Sequence, residues 1–294
     1  MRMLDRILSS GFEVCEGVRF INKDNVVENL SNSQLVVIDN VADYFFTQRF
    51  EDFFTAADFP CVMLPFELCF LEFRFPAQGR EITGCDEVGV LLMMQGQYPK
   101  ILGQPDVKYH LLAGYHFVRQ SGSKRVVLMA ELLLPVGADG QIISPANGLI
   151  HGVANLFTPG LSEEEEQSNF RFIYQFTSLP ILLALSFMHC RNVKMKEEVP
   201  PPKLSKAHQK KRGRPLLRYR VLEIDHMKSV LEREGHASTG GLKKALHICR
   251  GHFATYGIDG KGLLFGKHSG RYWISMHTRG SADEGVVVKD YQVK

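Results

Sequence analysis

Several kinds of chemistry are missing from this sequence. None of the six cysteines (Cys15, Cys61, Cys69, Cys85, Cys190, Cys249) forms a C-x-x-C pair, which points away from a disulfide framework or zinc ribbon and toward reduced thiols. The longest apolar run, LPILLALSFM at 179–188, is too short to span a bilayer. The first residues, MRMLDRILSSGFEVCEG, carry charge where a signal peptide needs an apolar stretch, so the expected location is the cytoplasm. No G-x-G-x-x-G, P-loop or G-x-S-x-G occurs, and nothing calls for a bound cofactor. Only one tryptophan, Trp273, is present.

Acidic residues are scarce in the last third. Residues 1–190 hold 13 Lys and Arg against 22 Asp and Glu, whereas residues 191–294 hold 22 against 10. A net −9 thus faces a net +12, and the basic part is expected to meet an anion, most often nucleic acid. The plain alternative is that the two halves attract each other.

The chain length suits two domains, and 45% hydrophobic residues suffice for a sizeable core. In residues 41–57, Phe45, Phe46, Phe50, Phe53 and Phe54 recur at helical spacing and predict a core-facing helix. Stretches 61–75, 87–94, 107–118 and 124–135 are rich in strand formers and predict an antiparallel sheet with one covered face. His110 and His116 fall in one of them and read as ordinary strand histidines. Ser162 ahead of the Glu163–Glu166 run predicts a helix start, with a kink or break later at Pro180. Pro200, Pro201 and Pro202 followed by KLSKAHQKKRGR predict an extended basic arm. Beyond it, 218–225, 245–256, 271–280 and 285–293 read as short strands of a small meander, 246–256 pairing with 271–279. The expected fold is therefore α+β. It comprises an acidic N-terminal domain (1–190) with an antiparallel sheet and helices, a Pro-rich basic linker or arm (191–217), and a small β-rich basic C-terminal module (218–294).

The tail brackets a Gly-rich loop with two similar clusters: His247, Arg250, Gly251 and His252 before it, His277, Arg279 and Gly280 after it. Arginine meets phosphate oxygens two at a time, and histidine adds a donor near neutral pH. Phe253, Tyr256, Tyr272 and Trp273 supply rings on which unpaired bases stack, although a small sheet also needs such residues for its core. From the basic segment, Lys210, Lys211, Arg212, Arg214 and Arg218 are the candidate nucleic-acid contacts. From the tail they are Arg250, His252, Tyr256, Lys267, Arg271, Trp273, His277 and Arg279. Three rival readings stand beside this one. His252 and His277, with Arg250 or Arg279, are the candidate catalytic pair of a metal-free ribonuclease. His247, Cys249 and His252, with His268 or His277, offer metal ligands at a spacing that fits no standard zinc motif. Arg212-Gly213-Arg214-Pro215 matches the core of an AT-hook that enters an A·T minor groove.

The pattern PPPKLSKAHQKKRGRPLLRYRVLEI, then HICRGHF, then YWISMHTRG and GVVVKDY, resembles a widespread set of bacteriophage and plasmid proteins. The Arg250-Gly251-His252-Phe253 element and the Trp273 strand also remotely resemble a phage anti-CRISPR protein that lowers the messenger RNA of a type V-A nuclease. The close resemblance covers about residues 199–291. It implies a mobile-element protein in a bacterial cytosol. Taken with the basic tail, the expected function is regulation or inhibition of a host or defence gene through binding of RNA, such as messenger RNA at the ribosome. The acidic domain would then contact a host or defence protein, and no membrane would be involved. An anti-defence inhibitor that binds protein without nucleic acid is the remaining alternative.

Overall fold

The computed structural model describes residues 1–15, 22–47, 59–97, 109–143, 153–154, 174–225, 245–249, 251–257, 262–264, 266–274, 277–279 and 281–286. The elements begin with α1 (Met3–Ser10), β1 (Glu13–Val14), α2 (Lys23–Asn32), β2 (Gln34–Val37), α3 (Asp39–Thr47), β3 (Leu68–Arg74) and α4 (Ala77–Thr83). Strands β4 (Cys85–Gln97), β5 (His110–Gln120), β6 (Val127–Val136) and β7 (Val153–Ala154) follow. A π-helical turn (Tyr174–Ser178) then runs into α5 (Leu179–Met188), ahead of β8 (Val193–Glu198), α6 (Pro202–Arg212) and β9 (Tyr219–Ile224). The last strands are β10 (Ala245–Cys249), β11 (His252–Tyr256), β12 (Gly270–Ile274), β13 (His277–Arg279) and β14 (Ser281–Val286). The chain divides into two units, Met1–Met188 with Met195–Leu222, and His189–Lys194 with Glu223–Lys294.

The first unit is built on a nine-stranded sheet in the order β1-β6-β5-β4-β3-β2-β9-β8, with β7 beside β6. Strands β3 to β6 are antiparallel neighbours, as their alternation predicts. The sheet as a whole is mixed rather than antiparallel: β2 runs parallel to β3 and to β9, and β1 parallel to β6. Strand β2 is four residues long, too short to announce itself in sequence, and α3 makes its crossover to β3. The segment 218–225 was expected in the C-terminal module. Strand β9 instead pairs with β2 through Val36↔Arg220 and Val37↔Val221.

Helices cover both faces of the sheet. On one face, Met3, Leu4 and Ile7 of α1 and Val26 and Leu30 of α2 bury against Phe70, Leu91, Phe117 and Leu128. Close approach there requires Gly89: a Cβ on it would lie 2.3 Å from the Phe70 ring and 2.8 Å from Met3 Sδ. On the other face Phe45 and Phe46 are core, as the helical stripe predicts; Phe50, Phe53 and Phe54 lie outside the described residues, as does the Glu163–Glu166 run. Nine of the ten residues of α5 are buried, so the longest apolar run is a core helix. Pro180, where a kink or break is expected, is the second residue of α5, directly after the π-helical turn.

Glu72, Asp5 and His116 are among the ionisable groups sunk in this unit. Glu72 accepts the main-chain N–H groups of Met3 and Leu4 at 3.2 and 3.0 Å, satisfying donors that the first turn of α1 cannot pair itself. Burial pushes its carboxyl up to about 7. Asp5 accepts Leu217 N–H at 2.9 Å, and burial raises its pKa as well. His116 is buried with Nδ1 3.0 Å from Thr177 Oγ1, and burial lowers its imidazolium pKa to about 4.

The native state therefore holds His116 neutral where the unfolded chain takes up a proton at about pH 6.5. Its contribution to stability is complete above that pH and is lost as pH falls toward 4, by about 3 kcal/mol in all. Chemical denaturation across this range should show a shallower loss of stability for His116→Gln than for the wild type. An identical slope in the two proteins would contradict the assignment.

Candidate nucleic-acid interface

The basic segment is a helix, not the extended arm that three prolines suggest. Pro201 stands at the N-cap and Pro202 in the first turn, where a missing N–H removes no helical bond. The residues that follow are good helix formers, and Lys210, Lys211 and Arg212 occupy the last turn, where the helix dipole favours positive charge. The prolines thus start a helix and do not prolong an arm. No residue of α6 is buried, yet one side of it is tied down. Ser205 Oγ accepts Leu216 N–H at 3.2 Å, His208 Nδ1 bonds the Arg214 carbonyl at 2.8 Å, and Arg212 Nη1 donates to Ser10 Oγ at 3.2 Å. The Asp5–Leu217 bond fixes the chain just beyond the helix.

Residues 205, 208 and 212 share one side of a helix with 3.6 residues per turn, which sends 203, 206 and 210 to the opposite side. Lys203, Lys206 and Lys210 therefore form a stripe directed away from the anchored side, with Lys211 on its flank. All four are exposed, α6 contains no acidic residue, and none of them has an ion-pair partner among the described residues. Lys203 and Lys206 escaped the sequence reading, although their spacing with Lys210 is visible once the segment is read as a helix.

The other basic candidates in this unit are partly engaged. Arg214 is half-buried and, with His208, close enough to Asp5 to favour its charged form. Arg218 is exposed at 3.4 Å from Glu197. The AT-hook reading needs an extended Arg212–Pro215, whereas Arg212 closes α6 and Gly213 is its C-cap.

In the second unit the expected pairing of 246–256 with 271–279 is present. Strand β10 pairs antiparallel with β13, and β11 with β12, in one continuous register that places His247 opposite Arg279, Cys249 opposite His277 and His252 opposite Ile274. Strand β14 adds to β10 in parallel. His252 is exposed. His277 lies three rungs from the rung of His252, about 10 Å along the strand, so the ladder does not set the two histidines side by side. Arg250 lies outside the described residues. Lys267 is exposed in the turn before β12.

Alternation splits the remaining candidates between the two faces of the β11–β12 ribbon. Phe253, Thr255, Arg271 and Trp273 share one face; His252, Tyr256 and Tyr272 share the other. The ring contacts agree: Phe253 meets Trp273 at 4.8 Å and Tyr256 meets Tyr272 at 6.1 Å. Trp273 is 5% exposed, so it is a core residue and offers no ring face for stacking. Its main chain is clamped by Asn192, whose Oδ1 accepts Trp273 N–H at 2.9 Å and whose Nδ2 donates to the Trp273 carbonyl at 2.8 Å. The same Nδ2 reaches the Asp225 carbonyl at 3.0 Å. Among the described residues no three His, Cys, Asp or Glu side chains converge on a metal position.

No family model, curated protein or solved structure matches the chain.

Loss of the Asn192 amide leaves a buried N–H and a buried carbonyl unpaired, each costing about 1–3 kcal/mol. Asn192→Ala should therefore destabilise the second unit by about 3 kcal/mol. Trp273 fluorescence, as the chain's only indole signal, reports this directly in a urea titration. An unshifted midpoint would show that the clamp is dispensable.

Proposed function

We propose that this chain is a phage- or plasmid-encoded regulator that binds RNA in the bacterial cytoplasm and lowers expression of a host or defence gene. The observation that carries the reading is the lysine side of α6: Lys203, Lys206 and Lys210 in line, Lys211 beside them, all exposed and without a carboxylate partner among the described residues. Unpaired cations held on a fixed helix suit phosphate, because neutralising a phosphate releases its counterions and the helix is already ordered before contact. Arg212, Arg214 and Arg218 extend the positive surface past the end of α6. Among the described residues no helix is long and apolar enough to cross a membrane. The acidic remainder of the first unit is the surface assigned to a host or defence protein, which would select the target.

Titration of labelled RNA with the full chain tests the reading. Changing Lys203, Lys206 and Lys210 together to alanine should weaken binding at least tenfold in low salt. It should also reduce the slope of log affinity against log salt by about 2. Equal affinity and slope in the two proteins would contradict the assignment to α6. Absence of binding to RNA at low salt would overturn RNA recognition itself, and a preference for A·T-rich duplex DNA would redirect it.

A further inference from the structure

A second anion-directed group stands in the other unit, on a residue that sequence reasoning passed over. Arg191 is exposed, and its side chain has no acidic or hydroxyl partner among the described residues. Its main chain is fixed, the N–H donating to the Arg271 carbonyl at 2.8 Å. Its side chain lies over Gly270: a Cβ built on that glycine would meet Arg191 Nε at 3.0 Å, Cγ at 3.1 Å and Cδ at 3.6 Å. Gly270 also has φ +116°, a conformation that side-chain-bearing residues rarely adopt. The glycine thus leaves a gap on the ribbon, and the arginine stem fills it.

The rung that contains Gly270 also contains Tyr256. Residues directly opposite in an antiparallel pair have their side-chain positions about 5 Å apart on the same face. The Arg191 stem thus lies at the Gly270 end of the rung whose other member is Tyr256. Tyr256 is half-buried, and its ring is braced edge-on by the buried Tyr272 at 6.1 Å and 68°. Exposed His252 stands on the same face, four residues back along β11. An exposed arginine and a braced, partly exposed ring carried on one rung supply what an unstacked nucleotide needs: a fork for the phosphate and a flat apolar face for the base.

We propose that Arg191 and Tyr256 form a subsite for one nucleotide of single-stranded RNA, the phosphate on Arg191 and the base stacked on Tyr256. The subsite rests on the RNA reading above and adds to it a strand preference and a contact outside α6. A duplex offers phosphates to lysines but keeps its bases in the stack, so the two surfaces separate by substrate.

The test uses the full chain with labelled oligouridylate and a labelled RNA duplex, titrated at several salt concentrations. Arg191→Ala should weaken oligouridylate binding about tenfold and lower the salt slope by about 0.7, the share of one phosphate on a single strand. Arg191→Lys should restore the slope. Tyr256→Leu should weaken oligouridylate about tenfold with the slope unchanged, because stacking releases no counterion. Duplex binding should be the same in all three variants. Unchanged Trp273 fluorescence in each variant shows that the ribbon has kept its fold. If the wild type binds oligouridylate and Arg191→Ala binds it equally well, the subsite is wrong and the α6 surface stands. Binding of duplex alone would overturn the subsite in the same way. No binding of either RNA by the wild type would overturn the RNA reading and the subsite with it.

Discussion

A single carboxylate, taken out of water, sets the position of the lysine surface on α6. Asp5 is 2% exposed and lies on α1, yet its partner is the main-chain N–H of Leu217, more than two hundred residues later. Burial alone would favour the neutral acid; the Leu217 N–H, His208 and Arg214 oppose that and favour the charged form. The bond fixes the chain leaving α6, while Arg212 to Ser10 and His208 to Arg214 fix the helix. An α-helix of eleven residues without a buried face is marginal by itself, so these ties keep it in one orientation. With one side so committed, the geometry of the helix leaves the lysine stripe directed outward.

The charge asymmetry of the chain takes on a more definite meaning in this light. An acidic unit that simply attracted a basic segment would spend its carboxylates on the lysines. The ties observed are different: a serine hydroxyl, two main-chain groups and one buried carboxylate that bonds an N–H. Surface ion pairs do occur nearby, as between Arg218 and Glu197, but among the described residues they spare Lys203, Lys206, Lys210 and Lys211. Exposed pairs contribute little to stability in any case. The positive charge on α6 is thus left over from folding, whereas the cations around Glu72, Asp39 and Asp86 are consumed by it.

Sequence patterns revealed the parts that rely on local periodicity. The α+β class, the antiparallel run β3 to β6, the aromatic face of α3 and the hairpin pairing of the tail all follow from alternation or helical spacing. What escaped depends on contacts distant in sequence. Strand β2 is too short to read, and β9 looks like part of a C-terminal meander until it is seen beside β2. The prolines ahead of α6 carry two opposite meanings, extended arm or helix start, and only the ties to Ser10 and Asp5 decide between them. Trp273 divides similarly: the same residue type serves as stacking platform or core, and the Asn192 clamp makes it core. Asn192 and Arg191 sit in a turn with no motif at all, and their roles arise entirely from what folds against them.

The proposed contact is between RNA phosphates and the outward side of α6. Photocrosslinking of the full chain to RNA, followed by mass-spectrometric mapping of the modified peptides, locates the contact without any substitution. Crosslinked residues are expected to concentrate in 203–218, with a second group around 252–256. Crosslinks confined to the rest of the first unit, with 203–218 unmodified at saturating RNA, would contradict that contact.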